Sequence, residues 1–239
     1  MRTQLFLRKN FRHLKQFSYF SISAILCVTF TREDAISLFI QSVIDALVQV
    51  VIFATIPFLF WIMKFRNQES FPRWIGLKRP IFDNKSKVFT FSILSFILLL
   101  ISGLLLIFAI DTKTMIANAQ FISMGWSSIG PILIYSFIQT ALSEELFFRG
   151  FLLKIFSNLW GLNIANFIQA LLFGILHGVI LFSSLSFLLV ILIIVFSTLA
   201  GWLMGYVNSE LGNGSILPSW LIHSFMNFVS SLLLAFNFL

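Results

Sequence analysis

Residues 142–150 read Leu-Ser-Glu-Glu-Leu-Phe-Phe-Arg-Gly, and they follow an apolar run that begins near residue 129. The stretch carries three ionisable side chains, Glu144, Glu145 and Arg149, where the surrounding sequence predicts hydrocarbon. A charge at membrane depth costs a few kcal/mol or more, and it usually faces a protein interior, a cavity or a partner. The stretch therefore predicts a helix whose polar side is buried inside a membrane protein.

Helical geometry gives the two glutamates different surroundings. Glu145 and Arg149 are four residues apart, so their side chains share a helix face and can form an ion pair. Glu144 is turned by about 100° from its neighbour and has no partner within its own helix. The spacing therefore predicts a structural pair and one unpaired glutamate. Taken alone, the stretch is equally consistent with a buried ion network that has no chemical role.

The composition of the chain is that of an integral membrane protein. Of its 239 residues, 59% are hydrophobic and only 10% are charged. Several apolar runs approach or exceed the roughly 20 residues that span a bilayer, without the alternating short strands of a barrel. We therefore predict an all-α fold, a polytopic bundle of about seven transmembrane helices, with an eighth element allowed. We expect residues 1–239 to form a single integral membrane domain.

The predicted spans follow one another with short polar turns between them. The first apolar run, residues 17–30, is short and is typical of a retained anchor and not of a cleavable signal peptide. Further spans are predicted at residues 36–63, 88–110, 129 to about 149–154, 167–183, 185–207 and from Pro218 onward. Residues 155–166 are predicted as an interfacial turn or short helix. The Gly201-x-x-x-Gly205 spacing indicates close helix packing and not a site.

The basic residues argue against a nucleic-acid partner, although the formal net charge is +7. They cluster before the first apolar run and in the loop of residues 64–87, as the positive-inside rule produces. We therefore predict a multi-pass protein of the cell membrane with a cytoplasmic N-terminus, a cytoplasmic loop 64–87 and an external loop around residues 111–120. The single cysteine, Cys27, excludes an internal disulfide.

Further polar residues lie inside apolar helices in the last half of the chain. They are His177 in the fifth predicted span, and His223 with Asn227 one turn later in the last. Each would be costly alone in hydrocarbon, and the cost is lowest if they converge. Counting inward from the basic loops puts Glu144 near the cytoplasmic edge and His177 near or beyond mid-membrane. Convergence then requires a longer or tilted fourth helix, a re-entrant segment, or different ends for the fifth.

This set of side chains suits the attack of water on a carbonyl group. A glutamate in an apolar site can serve as general base, and histidine can help to orient or deprotonate the water. Asparagine and histidine can donate hydrogen bonds to a developing oxyanion. Alternatively, Glu144, His177 and His223 could hold a Zn²⁺ ion that activates the water, although the chain has no H-E-x-x-H helix. Both a metal-free site and a zinc site stay open.

A family resemblance rests on three motifs in this order on successive apolar helices: Glu144-Glu145-x-x-x-Arg149, Phe173-x-x-x-His177 and His223-x-x-x-Asn227. They resemble the CPBP family, which comprises type II CAAX prenyl endoproteases and bacteriocin-processing or Abi proteins. The similarity covers roughly residues 125–235, which would be the catalytic core. It implies an intramembrane endopeptidase of the glutamate type, or a metalloendopeptidase, with Glu144 as base beside His177. It also implies that His223 and Asn227 stabilise the oxyanion.

Two other classes of function stay open. A non-catalytic immunity or scaffold protein of the Abi type would keep the motifs for folding. A transporter or proton relay would use the same buried acids and histidines, but it should show paired repeats with broken helices, and the sequence shows no such repeat. The sequence favours a peptidase that acts on a peptide or protein substrate at the bilayer, with Zn²⁺ or with no cofactor. It does not indicate whether that substrate is prenylated.

Overall fold

The computed structural model describes residues 35–109 and 117–238. Every regular element in these residues is helical, so the predicted all-α fold is confirmed. The predicted first span, residues 17–30, and most of the predicted external loop lie outside the described residues. The described helices, numbered here in chain order, are α1 (Ala35–Lys64), α2 (Phe71–Trp74), α3 (Lys85–Ala109), α4 (residues 129–160), α5 (Leu162–Leu181), α6 (Phe187–Leu211) and α7 (Leu217–Ala235).

Five of these helices, α1, α3, α5, α6 and α7, are long and apolar enough to cross a membrane. The predicted count of seven or eight spans is therefore not confirmed. α4 lies among the five and corresponds to the predicted fourth span, but charged residues interrupt its apolar sequence. Two single turns of 3₁₀-helix, Ala119–Phe121 and Gly125–Ser128, precede it.

α4 is one continuous helix in which α-helical and π-helical turns alternate. The segments Ile134–Leu142 and Leu146–Leu152 are π-helical, and the three residues Ser143–Glu145 between them are α-helical. The hydroxyl of Thr140 bonds the carbonyl of Tyr135 five residues back, as the wider π turn allows. The glutamate pair thus lies where two widened turns meet. Nothing in the sequence indicates this local geometry.

The predicted end of this helix is wrong. α4 continues past Arg149 and Lys154 to Trp160, and the chain breaks only at Gly161, whose φ of 78° suits a glycine. Residues 155–166 are therefore not a separate interfacial element, because they are divided between the last turns of α4 and the first turn of α5. The prediction took Arg149 as a marker of the membrane surface, whereas its side chain is fully buried.

The small residues of α5 and α6 allow these helices to pack closely. A Cβ atom on Gly201 would lie 3.1 Å from Nη2 of Arg149, and one on Gly205 would overlap the side chain of Asn166. The glycine pair therefore serves close packing, as its spacing predicts. It also leaves room for the Arg149 side chain beside the α5–α6 contact.

One end of the bundle is closed by the loop of residues 65–84, which contains α2. Trp74 is 1% exposed and packs in an aromatic cluster with Phe60, Phe65 and Phe151. The loop is held by hydrogen bonds from Lys154 to the Trp74 carbonyl, from Ile216 N to the Gly76 carbonyl and from Ser215 to the Lys78 carbonyl, with lengths of 2.5, 2.9 and 2.5 Å. It is thus attached to the end of α4 and to the turn before α7.

Candidate active site

The four residues predicted to be catalytic line one cavity of about 240 Å³ inside the bundle: Glu144 from α4, His177 from α5, and His223 with Asn227 from α7. Side chains from α3 and α6 complete its wall. The difference in depth between Glu144 and His177 that the sequence predicted is therefore wrong. Because α4 extends to Trp160, Glu144 lies near the middle of that helix and not at its edge.

The side chain of Glu145 is fully buried and accepts three polar contacts. Its Oε1 lies 3.0 Å from Nη1 of Arg149 and 3.1 Å from Nδ1 of His223. Its Oε2 accepts a 2.5 Å hydrogen bond from the hydroxyl of Ser219. An ion pair in this setting is held by the additional hydrogen bonds that satisfy its remaining lone pairs. Both carboxylate oxygens of Glu145 are thus occupied by the protein itself.

Glu144 has a different environment from its neighbour. Its side chain is 16% exposed, and it faces the cavity. Within the described residues, Oε2 of Glu144 has no hydrogen-bond partner, and the nearest cationic atom is Nε2 of His223 at 3.8 Å. Oε2 itself is buried, but another part of the side chain is exposed toward the cavity, so a water molecule there can reach the Glu144 carboxylate.

The imidazole of His223 lies between the two glutamates and is 3% exposed. Because Glu145 is an acceptor, Nδ1 of His223 is the donor in their 3.1 Å bond, which fixes the proton on that nitrogen. Nε2 then faces Glu144 across the cavity. In the neutral ring Nε2 accepts a hydrogen bond, and in the imidazolium it donates one. The role of oxyanion donor therefore requires His223 to be protonated.

The motif Phe173-x-x-x-His177 corresponds to a direct contact. Nδ1 of His177 lies 2.8 Å from the carbonyl oxygen of Phe173, so Nδ1 donates and Nε2 is the acceptor in the neutral ring. The buried ring of Phe173 packs against His177 with the ring centroids 4.5 Å apart. The guanidinium of Arg149 lies 4.1 Å above the same phenyl ring, a cation–π contact. Phe173 thus orients two polar side chains of the site.

Asn227 is held by a residue that the sequence reasoning did not single out. Its Nδ2 donates a 2.7 Å hydrogen bond to the hydroxyl oxygen of Thr140 on α4. The Thr140 hydroxyl itself donates to the carbonyl of Tyr135, which leaves its oxygen as an acceptor for Asn227. The second N–H of the Asn227 amide remains for another acceptor. Thr140 is polar, lies in an apolar helix and precedes Glu144 by four residues, and this was a signal that could have identified it.

Ser219 and Asn208 form a second polar layer behind Glu145. Nδ2 of Asn208 donates to the hydroxyl of Ser219 at 2.6 Å, and Oδ1 of Asn208 accepts from the Ser219 backbone N–H at 3.1 Å. This pair directs the Ser219 hydroxyl hydrogen toward Glu145. No pattern in the sequence indicates this contact, because Asn208 lies near the end of α6 and is separated from Glu145 by many residues.

The side chains do not fit a three-ligand zinc centre. In the parts of the chain that the structure describes, no three His, Cys, Asp or Glu side chains are grouped as a metal ion would require. Among the described residues Glu144 and His223 form a close pair, but His177 does not complete a group of three with them. We therefore derive no chemical step through a metal ion.

Comparison with known proteins agrees with the motifs. Residues 125–229 match the family model described as "Rce1-like: Type II CAAX prenyl endopeptidase Rce1-like". No curated protein and no solved structure matches the chain significantly. The matched segment begins just before α4 and ends in α7, so it contains Glu144, His177, His223 and Asn227. With the five apolar helices, the match supports a membrane protein of a protease family.

Proposed function

We propose that the chain is an intramembrane endopeptidase of the CPBP family, which the family match over residues 125–229 supports, and that Glu144 activates water. The products would be two peptides from one peptide or protein substrate. The observation that carries the proposal is the position of the Glu144 side chain, which is 16% exposed and lines one cavity with His177, His223 and Asn227.

The first step is attack of water on the scissile carbonyl carbon. A water molecule hydrogen-bonded to Glu144 gives one proton to the carboxylate, while its oxygen forms a bond to the carbon. Nε2 of His177 accepts a hydrogen bond in the neutral ring, so it can orient the same water. The carbonyl π electrons move to the oxygen and create an oxyanion.

The oxyanion needs hydrogen-bond donors that are oriented before the reaction. Asn227 supplies one, because Thr140 holds its amide with one N–H unoccupied. His223 supplies a second when its ring carries a proton on Nε2 as well as on Nδ1, and the bond from Nδ1 to Glu145 holds the ring in that orientation. Collapse of the intermediate breaks the C–N bond, and the proton held by Glu144 passes to the departing amine. Glu144 is then a carboxylate again.

The character of the cavity supports a hydrophobic substrate segment. One side carries the polar residues, and the remaining wall is largely apolar, with the aliphatic side chains Leu99, Leu106, Ile107, Ile180, Leu181 and Ile193. An apolar wall binds hydrocarbon without leaving unpaired polar groups behind. We therefore propose a CAAX-type substrate as the first to test, with an unmodified peptide of the same sequence as the second.

The proposal is tested with the purified full-length chain reconstituted in liposomes. Two peptides with the same CAAX ending, one farnesylated on cysteine and one unmodified, are incubated with the protein, and mass spectrometry identifies the cleaved bond. Cleavage by the wild type and none by Glu144→Gln supports the peptidase. If only the modified peptide is cleaved, recognition of the substrate requires the farnesyl group.

The alternative of a non-catalytic immunity or scaffold protein gives the opposite result. It predicts that neither peptide is cleaved. It also predicts that cells with a normal level of the Glu144→Gln protein show the same phenotype as cells with the wild type. A control variant, Glu210→Gln, removes the same charge from an exposed position outside the cavity. Equal loss in both variants would show that charge alone, and not the position of Glu144, is responsible.

A further inference from the structure

A second cavity, of about 250 Å³, lies at the end of the bundle that the loop 65–84 closes. Its wall comes from that loop, from the last turns of α4 and from the turn of residues 208–216. It contains none of the four residues proposed to carry the chemistry. Its wall combines four basic side chains with apolar and small residues, whereas the described residues that line the active-site cavity include no basic side chain other than two histidines.

The charges that line this cavity are predominantly positive. Four cations line it, Arg73, Lys78, Arg149 and Lys154, against one carboxylate, that of Glu69. Glu69 lies 3.5 Å from Lys154 and partly compensates it. Arg73 and Lys78 form no ion pair within the described residues, so two positive charges in the cavity are not neutralised. A cavity with such an excess attracts an anion.

The backbone that carries Lys78 is held against the turn before α7. The carbonyl of Lys78 accepts a hydrogen bond from Ser215, and its Nζ lies beside Gly214. The pKa of Lys154 is lowered by burial, only partly offset by Glu69, and Lys78 lowers it further by repulsion. An anion between these two ammonium groups would remove that repulsion, and the fixed backbone means that little ordering is needed to bind it.

Arg149 adds a buried positive charge to the wall of this cavity. Its guanidinium is directed at other residues: Nη1 pairs with Glu145, Nη2 lies against Gly201, and the group lies 4.1 Å over the ring of Phe173. Since none of these three residues lines the cavity, Arg149 contributes charge to the site and no direct hydrogen bond.

The cavity also lies where lipid headgroups are expected. The helix ends around it are those at Lys64, Lys85, Trp160, Leu162 and Leu217, all at one end of the apolar bundle. Exposed apolar side chains such as Ile81, Leu159 and Trp160 surround that end. Anionic lipids are concentrated in the cytoplasmic leaflet, the side that basic loops favour.

We propose that this cavity binds the phosphate group of an anionic phospholipid, with Arg73 and Lys78 as its principal side-chain ligands. Lys154 and Arg149 form the inner wall of the site. The hydrocarbon chains of the lipid would lie along the exposed apolar surface near Ile81 and Trp160. The site is separate from the proposed chemistry, and its test uses no peptidase measurement.

The experiment measures lipid binding to the purified full-length protein in an uncharged detergent by native mass spectrometry. Dioleoyl phosphatidylglycerol is the probe, dioleoyl phosphatidylcholine is the zwitterionic comparison, and inorganic phosphate is the soluble competitor. The test variant is Arg73→Gln/Lys78→Gln. The matched control is Lys85→Gln/Lys87→Gln, which removes the same charge from exposed residues that do not line the cavity.

We expect phosphatidylglycerol to bind the test variant about tenfold or more weakly than the wild type, because two charge-assisted contacts are lost. The control should change by about twofold or less, as exposed charges contribute little. Equal weakening in both variants, or equal affinity for phosphatidylcholine, overturns the site. Displacement of the lipid by millimolar phosphate would assign the cavity to a soluble phosphate compound instead. If the double variant melts early, Lys78→Gln alone is compared with Lys85→Gln.

Discussion

Nδ1 of His223 lies 3.1 Å from Oε1 of Glu145, although the two residues belong to helices far apart in the sequence. This bond fixes the proton on Nδ1 and turns Nε2 toward the cavity, where Glu144 lies 3.8 Å away. Glu145 therefore influences the proposed reaction only through His223, as a positioning residue. Two adjacent glutamates of one helix thus face opposite sides of a single imidazole.

We predict that Glu144→Gln abolishes cleavage and leaves the melting temperature in detergent within about 1 °C of the wild type, because the carboxylate oxygen that it changes has no protein partner. Glutamine keeps the shape of the side chain but cannot take a proton from water. The measurement pairs the peptidase rate with the melting temperature of the same preparation. An early-melting Glu144→Gln together with a stable, inactive Glu145→Gln would mean that the two roles are reversed.

We predict that Glu145→Ala and Arg149→Ala each lower the stability by about 3–5 kcal/mol, because each leaves an uncompensated charge in a buried site. Glu145→Ala should disturb the orientation of the His223 ring more than Arg149→Ala does, because Nδ1 of His223 loses its acceptor. Thermal melts and protein levels in membranes measure the loss. Replacing both residues, as Glu145→Gln/Arg149→Met, should cost less than the sum of the two single changes. Additive losses would show that the pair does not interact.

We predict that Asn227→Ala lowers the turnover number by roughly 10²-fold or more and keeps the fold, as the loss of an oxyanion donor does. The readout is turnover of the cleaved peptide together with the melting temperature. Unchanged turnover in a folded Asn227→Ala protein would rule out the role of oxyanion donor.

Thr140 gives a matched test of how Asn227 is oriented. Thr140→Val removes the acceptor for Asn227 and should lower turnover with little change in substrate affinity, whereas Thr140→Ser keeps the hydroxyl and should restore most of it. A loss of equal size in the serine and valine variants would assign Thr140 to packing alone.

Metal dependence is tested on the purified, active protein with and without a chelator. Since the described His, Cys, Asp and Glu side chains form no three-ligand group, we expect activity to survive chelation and the metal content to lie well below one ion per chain. Elemental analysis and the peptidase rate are measured on the same sample. One tightly bound ion per chain whose removal abolishes cleavage would contradict the metal-free reaction and favour Glu144, His177 and His223 as ligands.

The orientation in the membrane is a prediction from the basic loops and is tested by cysteine labelling. Cys27 is replaced first, and a cysteine is then introduced at the exposed position of Gln68 or of Gln120. We expect an impermeant thiol reagent added to intact cells to label position 120 and to leave position 68 unlabelled until the cells are opened. Labelling of position 68 from outside would invert the topology.

The sequence by itself determined the features that depend on local chemistry. Long apolar runs specify transmembrane helices because a bilayer leaves no other way to satisfy the backbone. A spacing of four residues specified that Glu145 and Arg149 can pair, since helical geometry fixes their relative positions. The order of Glu144, His177, His223 and Asn227 was also readable from the sequence, and it indicated the family that the match over residues 125–229 supports.

Only the tertiary structure decided how these residues meet. Buried and interfacial cations look the same in a sequence, so Arg149 was taken as the end of a helix that in fact continues to Trp160. The contacts from His223 to Glu145 and from Asn227 to Thr140 join separate helices, and their geometry depends on how the side chains of all the helices pack. Local propensity decides which residues form a helix. The rotation of each helix about its axis and its depth in the bundle are set by packing against the neighbouring helices.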